Sequence, residues 1–286
     1  IINNDALVSI NGFQNLAIIP GISIRNNEVL TSLPTFQPMD LNGVTISGNN
    51  SLTSLSGLEA IQSTSVGLEI AFNPILTDIT ALSNLNILPE CDIEIKSNDF
   101  LSFCSIMSVC DRLDMGGTGD IEIADNALGC NSEVEVLNIC QGNTCPGNDV
   151  LLSSQADVDA FASIYPGCTT LNYNLTISGS DITDLSGLTQ ITEMTQGLII
   201  QDNAILTDLS GLNAIAFSGG NSHIIVENNA VLNSLSGLNG ATSNNISITI
   251  KNNPSLSTID SLVGLTGSGY VDIENNDALL NLTGLE

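Results

Sequence analysis

The sequence predicts a mostly β protein: a right-handed parallel β-solenoid in two tandem modules with small helical, disulfide-stapled caps. Three observations predict it. One pattern, I-x-x-N-x-x-L-x-x-L-x-x-L, recurs along the chain and is complete from Ile46 to Leu58, ISGNNSLTSLSGL. Hydrophobic residues make up 42% of the chain but aromatics only 3%, with no Trp, so the core must be layers of Leu and Ile. All seven cysteines fall between Cys91 and Cys168, where the pattern breaks.

Aligned on the central Asn, the copies stand at Asn4, Asn27, Asn49, Asn73, Asn98 and Asn126, then at Asn203, Asn229, Asn253 and Asn276. Within each group they lie 22 to 28 residues apart, the spacing of leucine-rich repeats. Ile or Val precedes each Asn by three residues, and Leu usually follows it by three. Alternation such as Val44-Thr45-Ile46 or Ile248-Thr249-Ile250 has the period of a half-buried strand. Each copy therefore predicts a short strand, a turn, and an L-x-x-L-x-x-L stretch returning over irregular backbone. Strands of successive copies should pair in parallel at about 4.8 Å. The Asn residues then form a structural ladder at the turn leaving the strand, where each amide satisfies turn backbone and its neighbour. An unsatisfied buried polar group there would cost about 1–3 kcal/mol.

The middle departs from this. Leu101 to Cys110 replaces the Leu triplet, and Asp120 to Asn126 supplies one more coil. Ser132-Glu133-Val134-Glu135 fits a capping box and opens a helix toward Cys140. Residues 141–149 read as a linker by composition. A second short helix is expected from Ser154 to Phe161, and repeats resume at Leu175-Thr176-Ile177. Open ends of stacked coils need covers. Residues 1–140 are thus expected to be the C-terminal part of a first module with its cap, and residues 150–286 the N-cap and first coils of a second. The chain opens and stops inside repeats, which reads as a segment of a longer polypeptide.

These residues resemble a known family. The Asn-Asn-x-x-Leu-x-x-Leu-x-Gly-Leu coil is similar to that of the receptor L domain, a relative of leucine-rich repeats. The set Cys104, Cys110, Asn126, Gly129, Cys130 and Cys140, and the run from Gln155 to Phe161 and on to Tyr165-Pro166-Gly167-Cys168, extend the likeness. Closer still are tandem modules in large secreted surface proteins of Bacteroidota-type bacteria. The resemblance covers essentially the whole chain. It implies the fold above and export to the cell surface or medium by type IX secretion. It carries over no catalytic residue, and such modules serve adhesion, ligand binding and scaffolding alike.

Net charge is −27, because four bases (Arg25, Lys96, Arg112 and Lys251) stand against 31 acids. Such a surface repels nucleic acid and anionic lipid. No run of about 18 apolar residues offers a membrane span. Cysteines concentrated in one region indicate an oxidising compartment. Cys104, Cys110, Cys130 and Cys140 should form two bridges, with three connectivities open. Cys145 with Cys168 would staple the second cap, leaving Cys91 as a buried thiol. With no C-x-x-C pair and one histidine, His223, neither a metal site nor a catalytic triad is expected.

The outward strand positions are the candidate binding face. Glu69, Glu94 and Glu122 should form one acidic column; Glu227, Lys251 and Glu274 share an equivalent position in successive coils, with Asp272 beside them. Relief of charge repulsion accounts for a lysine between carboxylates, at about 0.2–1 kcal/mol. The sharper reading is a face for calcium or for a cationic or carbohydrate partner, although no compact D-x-D-x-D-G loop occurs. No other cofactor is expected. The sequence thus predicts a non-enzymatic, extracellular structural or adhesive protein, a stiff stalk or fibre on a bacterial surface. Its partners would be further copies of itself in a homopolymer, surface proteins or glycans. The rival is a receptor module that binds a glycan or peptide on its sheet face, which calls for exposed aromatics there.

Overall fold

The computed structural model describes residues 1–16, 18–212, 215–220, 222–239, 241–243, 245–265 and 269–285. The chain forms two compact units, Ile1–Gly142 and Asn143–Glu286. It is mostly β, with parallel sheets and few helices.

In the first unit β1 (Gly21–Arg25), β2 (Met39–Ser47), β3 (Ile61–Ala71), β4 (Asn86–Ile87), β5 (Asp92–Lys96) and β6 (Ile121–Ala124) form one sheet. Its order is β1-β2-β3-β5-β6, with β4 beside β3. Every pairing is parallel, and the register sets Ile24, Ile46, Ile70, Ile95 and Ile123 in one buried line. The triplets behind that line, such as Leu52, Leu55 and Leu58, are fully buried. Apolar residues every third position thus fill layers of nearly constant size, which is why aromatics are dispensable.

Two helices, α1 (Met107–Met115) and α2 (Glu133–Cys140), stand at the end of this unit. The Ser132 side chain caps α2 by accepting the Glu135 N–H at 3.2 Å. Helix α1 is a finding that periodicity did not foretell. Its anchor is Arg112, 1% exposed, whose guanidinium donates to the carbonyls of Cys91, Gly116 and Gly119 at 3.3, 3.2 and 3.0 Å.

The second unit contains β7 (Val150–Leu152), α3 (Gln155–Ile164), β8 (Thr170–Leu171), β9 (Leu175–Ile177), β10 (Glu193–Met194) and β11 (Leu198–Gln201). It continues through β12 (Ala216–Phe217), β13 (His223–Glu227), β14 (Ser247–Lys251) and β15 (Tyr270–Glu274). The main sheet runs β15-β14-β13-β11-β9-β7, and β12-β10-β8 form a second, smaller one. Helix α3 begins at a full capping box: Ser154 accepts the Asp157 N–H at 3.2 Å, and the Asp157 carboxylate accepts the Ser154 N–H at 3.0 Å.

Two backbone features recur. The residue before each ladder Asn is left-handed, with φ from 54° to 69°, whether it is Asn, Asp, Ser, Gly48 or Phe72. The glycine of L-x-G-L is also left-handed at Gly57, Gly211, Gly237 and Gly284 (φ 116° at Gly211 and Gly237), though not at Gly187, which lies in a 3-10 turn. A Cβ at Gly237 would collide with the Leu209 carbonyl oxygen of the preceding repeat. Glycine there lets successive repeats touch backbone to backbone.

Candidate binding face

Each face is built outward from the Asn ladder. Asn73 is fully buried; its Oδ1 accepts the N–H and Nδ2 of Asn49 at 3.1 and 3.2 Å. Its own Nδ2 donates to the carbonyls of Ile46 and Ala71, both at 3.0 Å, and to Asn98 Oδ1 at 3.2 Å. The same linkage joins Asn4, Asn27 and Asn49, then Asn98 and Asn126. In the second unit it joins Asn203, Asn229, Asn253 and Asn276. The first ladder ends where Asn126 donates to the Cys130 carbonyl at 2.9 Å, inside the disulfide-linked cap. A second, exposed ladder was not anticipated. The left-handed residues link side chain to side chain, Asn275 to Asn252 to Asn228 to Asp202, at 3.0 to 3.1 Å. Its signal is the Asn-Asn doublet, one amide turning in and the other out.

With each turn locked, alternate strand residues face outward in register. In the first unit Ser23, Thr45, Glu69, Glu94 and Glu122 form one column. Two bases sit in the next outward column and offset part of its charge. Arg25 reaches Glu69 at 2.6 Å, and Lys96 lies 2.9 and 3.0 Å from Glu94 and Glu122. Hydrogen bonds that the Lys96 ammonium donates to Glu94 and Glu122 raise it above its ordinary value.

In the second unit Glu227, Lys251 and Glu274 do share one column. The lysine leans diagonally, however: its Nζ lies 2.6 Å from Asp272 and 3.6 Å from Glu274. Lys251 holds the Asp272 carboxyl below the usual carboxylate range, and the hydrogen bond to Asp272 raises Lys251 in turn. Among the described residues, no three His, Cys, Asp or Glu side chains converge so as to hold a metal ion.

The next column is partly apolar. Leu151, Thr176, Ile199, Ile225, Thr249 and Asp272 lie in register, and Leu151 is about half exposed at 48%. Three branched apolar side chains therefore line the outside of this sheet. One column further, at the strand starts, His223, Ser247 and Tyr270 are register partners. With Ser222, Asn245, Gly220 and Gly269 they line a polar pocket of about 390 Å³. His223 leans over Gly197, where any Cβ would strike its imidazole. Tyr270 is 60% exposed, and its hydroxyl donates to Asp272 at 3.2 Å.

The cysteines resolve into Cys104–Cys130, Cys110–Cys140 and Cys145–Cys168. Cys91 is free and buried, and burial pushes its thiol up.

With this geometry in place, similarity to known proteins adds one fact. Residues 167–266 match the model of the receptor L domain family. No curated protein and no solved structure matches the chain. The receptor L domain is a family of extracellular ligand-binding modules. Its matched segment contains β8 through β14 and the His223, Asn245 and Ser247 side of the pocket. The receptor L-domain match and three disulfides together indicate an extracellular or secreted protein. Among the described residues no helix is long and apolar enough to cross a membrane.

Proposed function

We propose that this chain is a non-enzymatic extracellular binding module, a parallel β-solenoid that engages its partner through the outward sheet face of the second unit. The observation that carries the reading is the apolar column Leu151, Ile199 and Ile225, set in register beside the charged Glu227, Lys251 and Glu274 column. Apolar side chains aligned on an open face mark a surface that gains by being covered. Polar and charged columns beside them give a mixed rim around an apolar centre.

The experiment presents the immobilised full chain with a panel of extracellular proteins and glycans, native and as the Ile199→Glu/Ile225→Glu variant. Saturable binding by the native chain and its loss in the variant are expected. A folded native chain that binds nothing saturably, or a variant that binds as well as native, refutes the reading.

A second reading is an adhesive stalk or fibre on a bacterial surface, whose partners are further copies of the chain or surface proteins. Two buried Asn ladders and three disulfides favour it, because both resist stretching along the stack. Weak contacts repeated along such a rod would then add by avidity. Electron microscopy of the native full-length material separates the two readings: isolated globules rule out the fibre.

A further inference from the structure

The polar pocket at the start of β13, β14 and β15 carries a more specific assignment, which rests on the binding-module reading above. His223, Ser247 and Tyr270 occupy one column on three successive strands. A small residue stands between two rings. Strand spacing puts the His223 and Tyr270 backbones two steps apart, about 9.6 Å. Because His223 leans away over Gly197, the notch over Ser247 has the Tyr270 ring as its aromatic wall and the imidazole at its far rim.

The walls are prearranged. The Tyr270 hydroxyl donates to Asp272, which Lys251 holds at 2.6 Å, so the Tyr ring is tethered in place. His223 rests against Gly197, which leaves it room. Gly269 does the same for Asn245, whose Oδ1 lies 3.0 Å from where a Cβ at Gly269 would sit. Rims of Asn amide, Ser hydroxyl and imidazole bring together donor and acceptor groups of the kind sugar hydroxyls pair with. The CH face of a pyranose packs on a tyrosine ring, while its hydroxyls need such polar groups.

Charge narrows the class. Asp272, Glu227 and Glu274 stand on the same face, and the chain carries −27 overall. Uronic or sialic acids would be repelled.

We propose that this pocket binds a neutral pyranose of an extracellular glycan, stacked on Tyr270 with its hydroxyls toward Ser247, Asn245 and His223. The full chain is titrated calorimetrically with neutral hexose and N-acetylhexosamine oligosaccharides and, in parallel, with oligogalacturonate. Saturable binding to a neutral oligosaccharide is expected. It should weaken at least tenfold in Tyr270→Ala, stay within about threefold in Tyr270→Phe, and be unchanged in Tyr173→Ala, an exposed tyrosine outside the pocket. Gly269→Leu, which crowds Asn245, should abolish it. Circular dichroism checks that each variant is folded. No neutral saccharide binding, preference for the uronate, or an unchanged affinity in both Tyr270→Ala and Gly269→Leu overturns the proposal. If saccharides fail while a protein from the panel still binds and depends on Ile199 and Ile225, only the pocket assignment falls. If neither binds, the binding-module reading falls with it.

Discussion

Asn73→Ala tests whether the ladder holds the first unit together. The substitution removes the side-chain acceptor of the Asn49 N–H, at 3.1 Å, in a position with no access to water. One orphaned buried N–H costs about 1–3 kcal/mol, and the lost bonds to Ile46, Ala71 and Asn98 contribute about 1 kcal/mol each where no substitute exists. Ala71 keeps the Gly48 N–H at 3.0 Å, and Asn98 Oδ1 keeps the Asn73 N–H at 3.1 Å, so only part of that second sum is lost. The expected loss is about 3–5 kcal/mol. Asn4 provides the control: it is exposed, so water replaces whatever Asn4→Ala removes, and less than about 1 kcal/mol should follow. Urea unfolding followed by far-ultraviolet circular dichroism reads both, with disulfides intact. A loss below 1 kcal/mol for Asn73→Ala, or equal losses at the two sites, would refute the ladder as a source of stability.

Further outcomes follow from the same geometry. Gly237→Ala should cost more than about 3 kcal/mol because its Cβ meets the Leu209 carbonyl. Gly142→Ala, also left-handed (φ 72°) but with open space around it, should cost about 1–2 kcal/mol by the same denaturation assay. Phe72→Asn should stabilise by about 1 kcal/mol in thermal melts, since Phe72 is left-handed (φ 56°) and 54% exposed. Removing the Cys104–Cys130 bridge as a double Ala variant should cost about 3–4 kcal/mol for a loop of 26 residues, read by urea unfolding. For the Lys251–Asp272 pair, the lowered Asp272 contributes stability above about pH 4 that is lost as pH falls through its lower folded value. The raised Lys251 contributes below about pH 10 and loses that only on further alkalinisation. Carboxyl titration by NMR should show Asp272 rising toward its ordinary value in Lys251→Met; an unmoved midpoint excludes the pairing.

What the amino-acid sequence determines by itself is what each repeat does to its immediate neighbour. Ile three before Asn, and Leu three after, can only face inward if the strand is to alternate and the triplet is to fill a layer. The Asn position follows because a turn leaving a buried strand needs an acceptor and donors, and these must come from the chain. Such information is local, so spacing alone exposes it. The disulfide-linked region was legible only as a break. Four cysteines left three connectivities, and the fold chose Cys104–Cys130 and Cys110–Cys140 by bringing α1 and α2 side by side. Helix α1 itself depends on Arg112 reaching the carbonyls of Cys91 and Gly119, partners no helical period reveals. The outward face was the least legible part. Repeats differ in length between 22 and 28 residues, so which exposed side chains share a column is settled by strand pairing after those differences are absorbed in the loops. That pairing sets Ile199 beside Ile225, turns Lys251 toward Asp272, and places Ser247 between His223 and Tyr270.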